Sequence, residues 1–278
     1  MEQPLPLLQR REGAVLVLSN NNPAARNALS PAFYAALTEA LAQAEADATV
    51  GAIVLTGEGG HFCAGGDLRQ LAKRRELPIE ERRAKLEGLH DLIRTVRDCR
   101  KPVIAAVEGA AAGAGLSLAL ACDMLVAARN AVFSVAYVKV GLTPDGGATA
   151  FLAEFVSRQV LTELCLTGER ISGERLHALG PVNRLAEPGE ALAQAVALAA
   201  QVATGPDLAM AAAKNLCRSA YAQPLESQLE LEAQLMVQSQ ATEESREGIG
   251  AFLEKRPADF VRLRQINAPR TGNEETQP

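Results

Sequence analysis

A stretch of glycine and alanine after an apolar run is the first feature of the chain with a chemical use. Val103 to Val107 is apolar and rich in β-branched residues, which is typical of a buried strand. Residues 109–115 are only Gly and Ala, and residues 116–121 have helical character. Backbone without side chains lets a ligand approach closely, and the N–H groups of a first helical turn lack helical partners. The stretch therefore predicts a cradle for a ligand that accepts hydrogen bonds.

A second glycine-rich turn follows another predicted strand. Gly51 to Thr56 has strand character, and the sequence GEGGHFCAGGDL follows it over residues 57–68. If the two strands are neighbours in a parallel sheet, backbone N–H groups from both turns converge beyond their carboxyl ends. Two donors around one oxygen stabilise negative charge that develops on a carbonyl. Either turn alone is also explained by tight turning and close packing. No phosphate-binding loop is present, and the string at 113–115 lacks the third glycine of a dinucleotide fingerprint.

Alternating strands and helices must position these turns. Residues 1–12 form a polar lead, and the first strand spans residues 13–18, followed by a polar loop that carries Arg26. Ser30 and Pro31 predict the start of a helix that runs to about Asp47. Further strands are expected at 123–128 and 132–137, and residues 190–261 are almost entirely helical. The order predicts an α/β fold with a C-terminal helical layer.

Composition and charge exclude several classes of protein. The chain has 278 residues and a net charge of −5, which argues against a general nucleic-acid binder. Its five cysteines are scattered, show no metal-ligand spacing and are expected to be free thiols in a reducing compartment. No apolar run is long enough to span a bilayer and no signal segment opens the chain, so we expect a cytoplasmic protein with no membrane partner. The basic residues Lys73, Arg74 and Arg75 lie close in sequence to the second turn, where they could serve an anion.

Five segments resemble the crotonase superfamily of enoyl-CoA hydratases and isomerases. They are FCAGGDL (62–68), AAVEGAAAGAGLSLALACDMLVAA (105–128), FSVAYVKVGLTPDGG (133–147), LCLTGERISGERLHALGPVNRL (164–185) and SREGIGAFLEKRPADF (245–260). The resemblance covers residues 10–262 and implies a crotonase-like (ββα) spiral core with a C-terminal helical trimerisation layer. We expect an α/β core with the active site over residues 1–190, a helical region over 191–265 and a disordered tail over 266–278.

The resemblance also implies roles for particular residues. Backbone N–H groups of Gly66 and Ala114 would form an oxyanion hole for the thioester carbonyl of an acyl-CoA and so stabilise an enolate. Coenzyme A would enter as part of the substrate, with no separate cofactor and no metal, and the protein would be a homotrimer or a dimer of trimers. The residues expected to contact coenzyme A are Ala24, Arg26, Ala28, Ala64, Asp67 and Leu68, with Phe252, Lys255 and Phe260 of the C-terminal helices at its adenine end, often in a neighbouring subunit. For Asp67, a helix-capping role is an equally good interpretation.

The chain departs from the hydratase pattern at both acid–base positions. Hydratases of this family use two glutamates, and the matching positions here are Ser117 and Tyr137. With ordinary pKa values these side chains are poor acid–base groups near neutral pH. Asp145, in the PDxGG turn, matches the catalytic aspartate of some isomerases of the superfamily, among them the ring-epoxide isomerase of phenylacetate breakdown. One carboxylate suits a 1,3-proton shift, although Pro-Asp-Gly is also ordinary turn chemistry.

Three functions remain open at this point. The first is an acyl-CoA isomerase that moves a double bond and works through Asp145. The second is an enoyl-CoA hydratase or related hydrolase that activates water with Tyr137 or Asp145, and Ser117 could orient a water molecule or the substrate. The third is a relative that binds acyl-CoA and has lost catalysis.

Overall fold

The molecule is an α/β structure of two sheets, described by a computed structural model over residues 4–266. The predicted disordered tail, residues 266–278, lies outside the described residues except for residue 266, which ends a helix. The strands of the described region are β1 (Leu7–Glu12), β2 (Val15–Asn20), β3 (Ala52–Gly57), β4 (Val103–Val107), β5 (Ala110–Ala112), β6 (Met124–Ala128), β7 (Val132–Ser134), β8 (Ile171–Ser172) and β9 (Arg184–Ala186).

The helices surround these sheets and fill the C-terminal region. Those in the described region are α1 (Pro31–Ala46), α2 (Leu68–Arg74), α3 (Ile79–Asp98), α4 (Ala114–Leu120), α5 (Ala148–Ala153), α6 (Arg158–Thr167), α7 (Gly173–Ala178), α8 (Ala191–Val202), α9 (Asp207–Ser219), α10 (Leu225–Gln240), α11 (Glu243–Leu253) and α12 (Phe260–Ile266). Short 3₁₀ helices lie at Pro23–Ala25, Glu58–Gly60 and Ala136–Val140.

The larger sheet sets the position of both glycine turns. Its strand order is β1-β2-β3-β4-β6-β9, with β1 and β2 antiparallel and the other neighbours parallel. Strands β3 and β4 are adjacent, with Ile53 opposite Val103 and Leu55 opposite Ala105. Because these neighbours run in the same direction, their carboxyl ends meet at one edge of the sheet. The two glycine turns therefore leave the sheet side by side.

A second, three-stranded sheet carries the next part of the site. It consists of β5, β7 and β8, with β5 parallel to β7 and β8 antiparallel to β7. An isolated parallel bridge between Cys63 and Ala111 adds the second glycine turn to the edge of this sheet. The turn after β3, the strand β5 and the strand β7 are thus held together by backbone hydrogen bonds.

Three local predictions were wrong. The polar lead over residues 1–12 contains β1, an edge strand in which only Leu7 is buried, so no alternation of apolar residues reveals it. The Gly/Ala stretch includes β5, which is a strand because it pairs with β7 and not because of its own side chains. The strand predicted over 132–137 ends at Ser134, and Tyr137 lies in the 3₁₀ helix that follows.

Helix α8 shows how the C-terminal region joins the core. It begins directly after the predicted boundary at residue 190, and its Ala195 and Ala199 are fully buried against the larger sheet. Small side chains at these positions let the helix lie close to the strands. No single helix of the described region is long and apolar enough to cross a membrane; α8 and α9 meet that criterion only as a pair, bent by 115°. Helices α9 to α12 form the outer layer.

Candidate active site

Backbone hydrogen bonds bring the two glycine turns into contact. The Cys63 N–H donates to the Ala110 carbonyl at 2.9 Å, and the Ala112 N–H donates to the Cys63 carbonyl at 3.0 Å. Gly65 has a left-handed φ of +96°, and a Cβ added there would lie 2.6 Å from the Ala112 carbonyl oxygen and 3.6 Å from the Ala114 nitrogen. Only glycine allows this approach. The expected convergence of residues 64–66 with the start of α4 is therefore present.

Gly66 and Ala114 offer backbone donors at the point where the turns meet. Ala114 is the first residue of α4, after Gly113 with φ of +52°, so its N–H has no partner within the helix. Within residues 4–266, neither the Gly66 N–H nor the Ala114 N–H donates to a protein acceptor. The positive end of α4 adds to the electrostatic potential there. Such an arrangement can bind an oxygen on which negative charge develops.

The turn that carries Asp145 packs against α4 and is held by two hydroxyl groups, one on its carboxylate and one on its backbone carbonyl. The Tyr137 hydroxyl donates to Asp145 Oδ1 at 2.6 Å, and Ser117 Oγ donates to the Asp145 carbonyl oxygen at 3.0 Å. Ser117 is fully buried one turn after Ala114, and a Cβ on Gly113 would lie 3.7 Å from Tyr137 Cζ. The Tyr137 ring thus packs directly against the residue that precedes the Ala114 donor. The structure brings the predicted residues Ser117, Tyr137 and Asp145 together.

Burial tunes the protonation of this pair. It raises the pKa of Asp145 above its ordinary value of 3.8, against the opposing effects of the Tyr137 hydrogen bond and of the electrostatic influence of His90 and Arg74. Burial also raises the pKa of Tyr137, and the neighbouring Asp145 charge raises it further. The phenol is therefore a hydrogen-bond donor at neutral pH, and Asp145 is the group of the pair that can exchange a proton.

The loop that carries Arg26 lies against the second glycine turn. The Ala64 N–H donates to the Arg26 carbonyl at 2.9 Å, and a parallel bridge links Leu29 to Gly66. Arg26 itself is exposed and left-handed, with φ of +50°. The other residues expected to contact coenzyme A near this loop are exposed Ala24, buried Ala28, half-buried Ala64 and Asp67, and exposed Leu68.

Asp67 has a structural role that the sequence predicted. Its Oδ1 accepts a hydrogen bond from the Arg69 N–H at 2.9 Å and caps the start of α2. Capping leaves its contact with coenzyme A a prediction. Asn27, which sequence reasoning missed, is fully buried and its amide donates to the carbonyls of Glu58 and His61 at 2.8 and 2.6 Å. Asn27 has a left-handed φ of +58°. It stands among polar residues in the sequence, and nothing there indicates that its side chain joins the two loops.

The C-terminal residues Phe252, Lys255 and Phe260 lie on α11, just after it and on α12. Helix α12 is anchored at the amino ends of the strands, where Arg264 donates to the Ala203 carbonyl at 2.6 Å and to the Val50 carbonyl at 3.5 Å. Phe252 is 83% exposed. The structure therefore does not bring these residues to the turns of the same chain, and contact with a neighbouring subunit's site stays a prediction.

Size alone does not locate this site. A groove of about 750 Å³ lies between β1 and α1 and includes none of the five predicted catalytic residues. No group of three or more His, Cys, Asp or Glu side chains in residues 4–266 is arranged to hold a metal ion. Converging backbone donors and a held carboxylate identify the site instead.

Backbone donors beyond the carboxyl ends of parallel strands can bind a ligand and stabilise negative charge on its carbonyl oxygen, which both acyl transfer and enolate chemistry require. The comparisons with known proteins assign the class. The family model for enoyl-CoA hydratase/isomerase matches residues 10–262. The chain belongs to this family, has the crotonase fold and acts on acyl-CoA substrates.

Relatives with different reactions resemble the chain to a similar degree. It is 36% identical to the 2,3-dehydroadipyl-CoA hydratase of Escherichia coli, over 91% of this chain and 98% of the relative. It is 35% identical to the 1,2-epoxyphenylacetyl-CoA isomerase of the same organism, over 92% and 98%. A crystal structure of an enoyl-CoA hydratase from a Polaromonas species superimposes with a TM-score of 0.88 at 47% identity, over 91% of this chain and 98% of the other.

Proposed function

We propose that the protein is an acyl-CoA isomerase that moves a double bond with Asp145 as its single proton carrier. The observation that carries the proposal is the convergence of Ser117 and Tyr137 on Asp145, at 3.0 and 2.6 Å. These are the two positions at which a hydratase of the family would present its glutamates. Here both positions carry hydroxyl side chains that bind the Asp145 turn. Asp145 would then be the single carboxylate in place of the two glutamates.

The proposed proton shift uses the two backbone donors and Asp145. The carbonyl oxygen of a 3-enoyl thioester accepts hydrogen bonds from the N–H groups of Gly66 and Ala114. The Asp145 carboxylate removes a proton from C2, and the electron pair of that C–H bond delocalises onto the carbonyl oxygen as a dienolate. The protonated Asp145 then returns the proton to C4, which gives the 2-enoyl thioester with no net gain or loss of atoms. No cofactor is used, because coenzyme A enters as part of the substrate.

The raised pKa of Asp145 supports both halves of this reaction. A carboxyl with an elevated pKa is a better base toward the weakly acidic C2 proton than an exposed aspartate. The Tyr137 hydrogen bond on Oδ1 fixes the carboxylate and leaves Oδ2 for the proton. The same carboxyl can therefore accept the proton and return it without leaving the bound dienolate.

We extend the proposal to the coenzyme A portion and to assembly. The Arg26 loop with Ala64, Asp67 and Leu68 binds the pantetheine and phosphate end, and Phe252, Lys255 and Phe260 contact the adenine of a neighbouring subunit. Helices α10 and α11 leave Leu225, Met236, Val237 and Phe252 more than half exposed. A trimer or a dimer of trimers, in the cytoplasm, would cover such surface, and light scattering after gel filtration tests the oligomeric state.

Asp145→Asn tests the proposal directly. The amide keeps the shape of the side chain but cannot carry the proton, so kcat for the conversion of 3-enoyl-CoA to 2-enoyl-CoA should fall by about 10²- to 10⁴-fold. The dissociation constant of a saturated acyl-CoA should stay within a few-fold of wild type. Asp91→Asn, at a side chain 66% exposed on α3, is the matched control and should keep full activity. Full turnover by Asp145→Asn would refute the assignment.

Hydration is the second candidate, favoured by the similarity to the 2,3-dehydroadipyl-CoA hydratase. Asp145 would then activate water, with Tyr137 as its partner. Incubation of the protein with crotonyl-CoA, followed by mass analysis, separates the two, since hydration adds the mass of water and isomerisation adds nothing. A hydrolase would release free coenzyme A in the same assay. Tight acyl-CoA binding without turnover on saturated, 2-enoyl, 3-enoyl and aromatic thioesters would instead indicate a binding protein.

A further inference from the structure

One hydrogen bond between the two glycine turns is made by a side chain. The Phe62 N–H donates to the Glu108 carbonyl at 2.9 Å, and the next N–H along the chain, that of Cys63, donates to the Ala110 carbonyl at 2.9 Å. Consecutive donors with acceptors two residues apart depart from the even spacing of parallel strands. At this irregularity the Ala110 N–H donates to Nδ1 of the His61 ring at 3.2 Å.

The His61 ring takes the place of the backbone carbonyl of the same residue. Regular parallel pairing, continued backward from the bridge between Cys63 and Ala111, would join the Ala110 N–H to the His61 carbonyl. That carbonyl instead accepts a hydrogen bond from the Asn27 amide at 2.6 Å. His61 thus links the loop that carries Asn27, the turn after β3 and the strand β5.

The close approach of the ring to β5 depends on a glycine. Gly109 has a left-handed φ of +53°, and a Cβ on it would lie 2.4 Å from His61 Nδ1. A side chain there would push the ring away from the Ala110 N–H. Because Nδ1 accepts a hydrogen bond, the ring is neutral and carries its proton on Nε2.

This hydrogen bond lies just before the residues that carry the proposed oxyanion donors. A Cβ on Gly115 would lie 2.2 Å from the Cys63 carbonyl oxygen, so the first turn of α4 rests directly on residue 63. The Ala114 N–H belongs to that turn, and residue 63 leads within three residues to Gly66. A shift between the paired segments at Ala110 would therefore change the distance between the two donors.

We propose that His61 is a positioning residue for the oxyanion hole. Its Nδ1 supplies the acceptor that keeps Ala110, and with it the Ala114 donor, in register with Gly66. The inference rests on the proposed role of Gly66 and Ala114 as the oxyanion donors. Misplaced donors lose most where negative charge develops, so the effect falls on kcat more than on ground-state binding.

Two amide substitutions at residue 61 separate the two ring nitrogens. In His61→Asn the side-chain oxygen can take the place of Nδ1 and accept from Ala110, whereas the amide of His61→Gln lies at the place of Nε2. On whichever thioester the wild type converts, kcat should fall about 10- to 100-fold in His61→Gln and stay within about threefold of wild type in His61→Asn. The dissociation constant of a saturated acyl-CoA should change less than about threefold in both.

The matched control is a histidine away from the glycine turns. His177 of α7 bonds the Val182 carbonyl through Nδ1 at 2.7 Å, and His177→Gln, which removes that bond, should keep full kcat. All variants are compared at a temperature where circular dichroism shows each to be folded. Hydrogen-exchange mass spectrometry should show faster exchange in peptides that span residues 108–113 for His61→Gln alone.

The wild-type protein provides a test that needs no active variant. Nitrogen-15 NMR of the histidine rings at neutral pH should show His61 with its proton on Nε2 and an unprotonated Nδ1. A proton on Nδ1, full kcat in His61→Gln, or an equal loss of kcat in His61→Asn and His61→Gln would each overturn the inference. Failure of the isomerase proposal is a distinct result, because it appears in the turnover of Asp145→Asn. Rescue by Asn at residue 61 would stand even if the reaction were hydration.

Discussion

Asp145 is subject to opposing influences from its immediate neighbours. Burial favours the neutral carboxyl, whereas the hydrogen bond from Tyr137 and the electrostatic influence of His90 and Arg74 favour the carboxylate, and burial prevails. The Tyr137 hydroxyl is the one of these groups that touches the carboxylate, at 2.6 Å. Its role can therefore be separated from burial by one substitution.

Tyr137→Phe should move the pH profile of the reaction in a defined direction. The proton-accepting form of Asp145 is the carboxylate, so kcat/KM falls as pH drops through its pKa, with a midpoint above the ordinary 3.8. Without the donor to the charged form, the pKa rises further and the acid limb shifts to higher pH. Tyr34→Phe removes a hydroxyl of α1 and should leave the limb in place, because in residues 4–266 the tyrosine that bonds Asp145 is Tyr137. A Tyr137→Phe profile shifted to lower pH would contradict this account.

Turns, more than strands or helices, place the reacting groups. Gly146 follows Asp145 with φ of +59°, and a Cβ there would lie 3.0 Å from Ser117 Cβ and 3.2 Å from Ser117 Oγ. The Asp145 turn can therefore lie on α4 only because residue 146 has no side chain. Gly141 has a similar φ of +71°, but a Cβ on it would meet nothing within 4 Å.

This pair of glycines gives a matched test of the turn. Gly146→Ala should lower kcat/KM about 10- to 100-fold, because Ser117 and the Asp145 turn must move apart. Gly141→Ala should have near wild-type kcat/KM. Each variant should lose about 1–2 kcal/mol of stability from the left-handed backbone, measured by urea unfolding. Equal activity in the two variants would show that contact between Ser117 and the turn does not matter for the reaction.

The sequence predicted those elements whose own residue pattern is typical of a helix, a strand or a turn. The helix start at Ser30 and Pro31 agrees with the structure, where Ser30 caps α1, as do the two glycine turns. Strand β1 could not be found, because its neighbour β2 and not its own pattern makes it a strand. Long-range pairing also explains the short β5.

The candidate site was predictable in part. Asp145, Ser117 and Tyr137 lie at positions that motif spacing identifies, and the structure joins them by hydrogen bonds. The basic run 73–75 was visible in sequence, but burial alone distinguishes Arg74 from its exposed neighbours.

In the whole molecule, the two ends of the strands of the larger sheet have different roles. The glycine turns lie at the carboxyl ends of the strands, the carboxyl edge. A buried ionic cluster lies at the amino ends, the amino edge. There Asp207 of α9 accepts from Lys101 at 2.5 Å and from Arg264 of α12 at 3.0 Å. The side chains of Lys101 and Arg264 are only 9% and 4% exposed. This cluster fastens the C-terminal helices to the sheet at the edge opposite the chemistry.

Asp207→Asn should therefore destabilise the protein without changing its reaction. Loss of the carboxylate leaves two buried cations without a counter-charge, which costs about 3–5 kcal/mol in the free energy of unfolding. Glu243→Gln breaks the Arg246 pair, whose side chains are 79% and 53% exposed, and should cost no more than about 1 kcal/mol. Urea unfolding at one fixed protein concentration measures both, because an oligomer's stability depends on concentration. At temperatures where Asp207→Asn stays folded, its kcat should equal that of wild type, since the amino edge touches none of the reacting groups. A fall in kcat with unchanged stability would place Asp207 in the functional machinery and reverse this division between the two edges.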